Sequence, residues 1–175
     1  AINFTLAYPD KVAALIPVAA GLSGYQNQSE VLKQMNEAID AAYKKGDKAQ
    51  AVELSLQLWT DGPHRAYSHI DPIVREKVRA MTAEVFDLPD YDNSFIQPLE
   101  PPAIDRLAEI QVPTLFIVGD HDVPDILDIA EIVTTRVPGA RKVIIPNTAH
   151  HLNLERPAEF NGIVLEFHSR MADRN

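Results

Sequence analysis

Asn147-Thr148-Ala149-His150-His151-Leu152-Asn153-Leu154-Glu155-Arg156-Pro157, read together with the upstream Val118-Gly119-Asp120-His121-Asp122, decides the fold of this chain. In each half an apolar, β-branched run (Thr114 to Val118, then Val143 to Ile145) stops at small or turn-forming residues, and an Asp or His follows at once. Both kinds of side chain therefore stand at the carboxyl ends of strands. In an open parallel sheet those ends share one edge, and ligands bind in the crevice outside it. An acid and a base far apart in sequence can meet there. A neutral imidazole can take a proton from a hydroxyl or a water, and a carboxylate behind it fixes the tautomer and stabilises the imidazolium. Asp120 and Asp122 compete for the acid role, and His150 and His151 for the base. The plainer alternative makes the two aspartates turn residues that satisfy backbone donors and the His pair a polar loop.

Outward from this stretch the pattern alternates. A helix is expected from about Pro124 to Val137, a turn at Pro138-Gly139 and a terminal helix from Pro157 to Met171. Toward the N-terminus, Ile2 to Tyr8 has helical spacing and stops before Pro9. Val12 to Ala20 is almost continuously apolar, which predicts a parallel strand covered on both faces before Gly21, Ser23 and Gly24 break it. Three helical runs then follow with no strand between them. Ser29 caps the first, which ends at Gly46; Asp47 caps the second, through Trp59 to Asp61-Gly62-Pro63; Asp71-Pro72 opens the third, through Phe86. Such a run does not fit the alternation of a doubly wound sheet and reads as an insertion. Leu88 to Pro102, with four prolines, reads as the return linker, followed by a short helix over Ala103 to Ala108.

Composition narrows the function classes. At 175 residues and 46% hydrophobic the chain can bury a real core. A formal charge of −9 lacks the clustered Lys and Arg of a phosphate-binding surface, so no nucleic-acid partner is expected. Without cysteine there is no disulfide framework, thiolate nucleophile or Cys-based metal site. No apolar run reaches the roughly 18 residues of a membrane span, and the expected setting is the cytoplasm. Neither a phosphate-binding Gly-x-x-x-x-Gly-Lys loop nor a Gly-x-Gly-x-x-Gly fingerprint is present.

Gly119-Asp120-His121-Asp122 resembles the Gly-x-x-Asp turn of the α/β-hydrolase family, and Ala149-His150 through Glu155-Arg156-Pro157 to Asn161 resembles its catalytic-histidine loop and the start of its last helix. Ala1 to Val12 resembles the helix that follows the family's nucleophile elbow. The resemblance covers nearly the whole chain and implies an α/β fold: the C-terminal part of an α/β-hydrolase, with about three parallel strands, flanking helices and an inserted helical cap. The implied division is core over residues 1–24, cap and return linker over 25–101, and core again over 102–175. By this register Asp122 is the acid and His150 the base. Chain order in the family is nucleophile, acid, histidine, which places the nucleophile upstream of Ala1. The implied activity is hydrolysis of an ester, lactone or similar small carbonyl substrate through an acyl-enzyme, without a cofactor. Leu22, Ser23, Trp59, Tyr67 and Val123 are the residues expected to line the substrate pocket.

Several alternatives stay open at this level. Ser23 in Gly21-Leu22-Ser23-Gly24-Tyr25 superficially suggests an elbow, but Tyr25 stands where Gly-x-Ser-x-Gly has its second glycine. An Asp could replace the nucleophilic Ser, as in dehalogenases and epoxide hydrolases of the family. Asp120, His121, Asp122, His150 and His151 supply enough donors for a metal, but side chains adjacent in a turn tend to point apart, and no metal is expected. A different class of reading is a non-catalytic fragment or binding module, inactive by itself. Beyond a small-molecule substrate, the expected partner is a missing N-terminal half, or a second copy of the chain docked on an exposed sheet edge.

Overall fold

The computed structural model describes residues 1–66, 69–88 and 99–172. Its centre is a pair of parallel strands, β1 (Leu115–Gly119) and β2 (Arg141–Ile145), with Leu115 opposite Arg141 and Gly119 opposite Ile145. Every residue of β1 is buried, as a parallel strand covered on both faces must be. The connection between the strands is helix α6 (Pro124–Arg136), opened by a proline at its first position and packed on the sheet through Ile126, Ile129, Ala130 and Val133.

The apolar run from Val12 lies on the other side of β1. Its backbone follows a parallel ladder: Leu15 N–H donates to Pro113 O, Leu115 N–H to Leu15 O, Ile117 N–H to Pro17 O, and Ala19 N–H to Ile117 O. It is nonetheless not a continuous strand, and only the isolated bridges Leu15 to Thr114 and Val18 to Ile117 form. Pro17 is the physical reason, because it has no N–H to give to the Leu115 carbonyl in the middle of the ladder. Burial also departs from the expectation of cover on both faces: Leu15, Pro17 and Ala19 are buried, whereas Ala14, Ile16 and Val18 are only partly so. That period of two belongs to a surface with one covered face.

Short helices flank this layer: α1 (Ile2–Ala7) near the N-terminus and α5 (Ala103–Arg106) just before β1. Between the two lies the helical insert. Helix α2 (Glu30–Lys44) is capped by the Ser29 hydroxyl, which accepts from Leu32 N–H, and buries Leu32, Ile39 and Ala42. Helix α3 (Lys48–Ser55) is capped by Asp47 and α4 (Pro72–Asp87) by Asp71. The periodicity predicts one regular helix through Trp59. Instead α3 widens at Leu56 into a π-turn that runs to Asp61 and stops at Gly62. Helices α7 (Leu152–Glu155) and α8 (Pro157–Ala172) close the chain.

The insert is fixed to the rest of the molecule at two levels. Val52 and Leu56 pack with Val78 of α4, and Leu154 of α7 joins this small apolar cluster. Asp125, at the start of α6 and almost fully buried, accepts from the backbone N–H of Gln28 and Ser29 and from the Ser29 hydroxyl. Among the described residues no helix is long and apolar enough to cross a membrane.

Candidate active site

The register of the sheet puts Gly119 and Ile145 level, so the loops that leave them emerge side by side. The second loop turns sharply at Asn147, whose φ of 58° lies in the left-handed region that Asn tolerates, and the Thr148 hydroxyl closes the turn on Ile145 O at 2.7 Å. It then runs directly across the end of β1. A Cβ on Gly119 would lie 2.3 Å from Thr148 O and 2.6 Å from Ala149 O, so only glycine permits this passage. His121 N–H donates to Thr148 O at 2.9 Å, and Thr148 N–H donates to Asp120 Oδ1 at 3.3 Å. The two loops form one hydrogen-bonded unit.

That unit brings Asp122 to His150. The His150 Nδ1 stands 3.1 Å from Asp122 Oδ2 and 3.2 Å from Oδ1. The Asp122 side chain is fully buried and that of His150 is 30% exposed, so the pair has a closed end and an open one. The carboxylate is held from behind as well, since Val123 N–H, at the start of α6, donates to Asp122 Oδ1 at 2.8 Å. A helix N-terminus favours a carboxylate at that position. An ionised carboxylate can only accept hydrogen bonds, so the proton between the two residues sits on Nδ1. A ring in that tautomer offers Nε2 as an acceptor.

The competing residues have other partners. Asp120 holds the Thr148 backbone and lies 4.0 Å from His121 Nε2. His151 Nδ1 shares a hydrogen bond of 3.3 Å with the Thr60 hydroxyl. Burial, reinforced by the neighbouring His150, lowers the pKa of His151 below its usual value, so this ring favours the neutral form. Among the described residues no group of His, Asp and Glu side chains is arranged to hold a metal ion.

The expected pocket-lining residues are scattered. Trp59 packs its ring on that of His150, with centroids 4.6 Å apart, and its carbonyl accepts from His150 N–H at 3.1 Å. The Val123 side chain is wholly buried, and its link to the site is the backbone N–H on Asp122. Leu22 is buried in the main core. The Ser23 hydroxyl donates to Asn3 Oδ1 at 3.0 Å and accepts from Ala103 N–H at 3.1 Å, which ties it to α1 and α5. Tyr67 lies outside the described residues. A cavity of about 320 Å³ opens in the insert between Val31, Met35, Leu58 and the charged side chains of Glu53, Asp61 and Arg75; neither Asp122 nor His150 lines it.

Gly62 and Arg65 are structural parts of the site that the sequence reading passed over. With φ at 81° and a would-be Cβ only 2.3 Å from His121 O, Gly62 lets the end of the π-turn touch the acid loop. Arg65 and Glu155 form an ion pair of 2.7 Å with side chains 3% and 7% exposed. A Gly between Asp and Pro is an ordinary turn signal, and a buried arginine has no signature in sequence.

No family model matches the chain. A Bacillus subtilis protein named as a 2-succinyl-6-hydroxy-2,4-cyclohexadiene-1-carboxylate synthase is 24% identical over 172 residues, covering 95% of this chain and 61% of its own length. The 2-hydroxy-6-oxononadienedioate/2-hydroxy-6-oxononatrienedioate hydrolase 2 of Pseudomonas putida is 25% identical over 181 residues, with 95% of this chain and 58% of its own length covered. The structure of a thermophilic esterase superposes with a TM-score of 0.67 at 25% identity, over 95% of this chain and 60% of that one. These relatives and structural neighbours are members of the α/β-hydrolase family, and the fold of this chain matches the C-terminal part of theirs. The chain spans 61% and 58% of the length of the two curated relatives named above.

Proposed function

We propose that this chain supplies the acid and base of a hydrolase that cleaves an ester, lactone or similar small carbonyl substrate. The observation that carries the reading is the buried Asp122 carboxylate 3.1 Å from Nδ1 of His150, a ring that keeps 30% of its side-chain surface exposed. The nucleophile, a Ser or in the variant chemistry an Asp, belongs to a strand-to-helix elbow upstream of α1. With a Ser, His150 Nε2 takes the hydroxyl proton as the oxygen attacks the carbonyl, and Asp122 stabilises the imidazolium that forms. His150 then gives the proton to the leaving alcohol. A water repeats the sequence on the acyl-enzyme and releases the acid. In the family the donors that stabilise the oxyanion come in part from a loop that precedes the elbow.

In this reading residues 1–24 and 102–175 are core and residues 25–101 the cap, which meets His150 through Trp59. The mixed ester, diene-acid and synthase names of the relatives support a carbonyl substrate without choosing among its classes. The edge of the Leu15 to Ala19 segment that faces away from β1 takes a strand from the N-terminal part of the protein, or from a second copy when that part is absent. The backbone of Ile16 and Val18 makes no hydrogen bond to another backbone group on that side among the described residues.

The test uses the full-length protein with short-chain aryl esters and a fluorophosphonate probe. Turnover, and probe attached to a Ser upstream of Ala1, are expected, and both should be lost in His150→Ala. Ester turnover that survives His150→Ala would refute the assignment of the base.

A further inference from the structure

The π-turn over Leu56–Asp61 ends inside the molecule, and the last carbonyls of a helix have no partners within it. Here each of the last three is taken by a group from the catalytic side or by Arg65. Trp59 O accepts from His150 N–H at 3.1 Å, Thr60 O from Arg65 Nη2 at 2.8 Å, and Asp61 O from Arg65 Nε at 2.8 Å. The same guanidinium reaches across to the histidine loop. Its Nη1 donates to Asn147 O at 2.6 Å and pairs with Glu155 Oε2 at 2.7 Å. Glu155 in turn uses Oε1 to accept from Ala149 N–H at 2.8 Å, one residue before His150. The histidine loop is thus gripped at Asn147 and Ala149 by one buried ion pair, and at His150 by the helix end which that pair organises.

We propose that Arg65, acting with Glu155, is the positioning residue for His150 and locks the 59–65 segment of the insert to the histidine loop. The proposal rests on the reading of His150 as the base. Its chemistry follows from the shape of the group: a planar guanidinium can satisfy three carbonyls and a carboxylate from fixed directions, whereas an ammonium cannot reach all four at once. A merely structural ion pair need not hold two backbone positions in the three residues that lead into the base. This one does.

The experiment compares Arg65→Lys and Glu155→Gln with the parent sequence in the full-length protein. Three quantities are read: kcat and KM on a short-chain aryl ester, the ring ¹⁵N resonances of His150, and the denaturant midpoint. Arg65→Lys keeps the charge but loses the fork, so kcat should fall roughly tenfold to a hundredfold with KM within about twofold, the scale of a base displaced by a fraction of an ångström. The His150 resonances should move away from the Nδ1–H pattern while the protein stays folded. Glu155→Gln keeps an acceptor for Ala149 N–H and should lose less, in the same direction. If Arg65→Lys does not fold, Glu155→Gln carries the decision by the same two readouts. A folded variant with parental kcat and parental His150 resonances overturns the proposal. Should the full-length protein hydrolyse no ester at all, the functional reading fails, and the His150 resonances still decide whether Arg65 positions the ring.

Discussion

Two ends of neighbouring strand-like segments leave the sheet on its carboxyl edge, and the chain uses them differently. After β1 the Gly119–Asp122 turn is crossed by the histidine loop, and Asp122 spends its carboxylate on His150 and a helix N-terminus. After the Leu15 to Ala19 segment, the Gly21–Gly24 turn spends its one hydroxyl on Asn3 and Ala103. Both follow the rule that places functional groups at strand ends. The difference teaches that position alone does not make a site. A side chain becomes chemically useful there when its partner is another reactive group with an open face, and it becomes structural when its donors and acceptors are consumed by the backbone nearby.

The comparison can be broken most sharply at Asp122. In the full-length protein Asp122→Asn should keep the fold and lower kcat by on the order of 10³ to 10⁴, because the amide can donate to Nδ1 and so stabilises the wrong tautomer. Steady-state kinetics with a denaturation curve on the same sample checks both halves. An unchanged kcat would reduce the acid turn to the status of the Ser23 turn.

Gly119→Ala comes next. The new methyl would lie 2.3 Å from one carbonyl oxygen and 2.6 Å from another, so the histidine loop must shift. A loss of about 2 to 4 kcal/mol is expected in urea unfolding. If the loss is below about 0.5 kcal/mol, the range of ordinary surface substitutions, the close passage of the two loops is not a real constraint. Ser23→Ala should cost only up to about 1.5 kcal/mol, the value of an ordinary hydrogen bond, and leave the kcat of the full-length protein within about twofold. Turnover abolished by Ser23→Ala would reverse the comparison and make the second turn the nucleophile.

The pH dependence of stability adds two further steps. Arg75, with Arg79 behind it, bonds Glu53 and holds its pKa down at about 2 against an ordinary 4.5, although partial burial opposes the shift. The unfolded chain therefore binds a proton that the folded chain refuses between those values. Stability is full above pH 4.5 from this group and is lost as pH falls toward 2. His151 adds an earlier step. Its folded pKa lies below 6.5, so the unfolded chain protonates first and stability begins to fall as pH drops through 6.5. Urea unfolding across pH should show both steps, with His151→Gln removing the upper one and Glu53→Gln the lower. A profile flat from pH 7 to 5 would remove His151 from the buried side of the site.

What was legible in the sequence is what depends on local pattern. The β-branched run at Leu115 to Val118 followed by glycine, and the caps at Ser29, Asp47 and Asp71, are each visible in a few adjacent residues. Family register pairs Asp122 with His150; in the structure Asp122 reaches His150, while Asp120 holds the Thr148 backbone and His151 meets the Thr60 hydroxyl. Elements set by tertiary demands stayed hidden. The π-turn ends in carbonyls that His150 and Arg65 take up, contacts that no local pattern of residues displays. Pro17 interrupts a ladder whose apolar pattern reads as unbroken strand. Arg65 looks like any surface arginine until the fold surrounds it.

The proposed role of Asp122 is to fix His150 as a base with the proton on Nδ1 and Nε2 free. Ring ¹⁵N spectra of the neutral histidine, at a pH above its titration, test this directly. His150 is expected to be the Nδ1–H tautomer, with a proton coupled to Nδ1 and an unprotonated Nε2, and Asp122→Asn is expected to abolish this preference. An Nε2–H tautomer in the parent protein, or the same tautomer before and after Asp122→Asn, would contradict it.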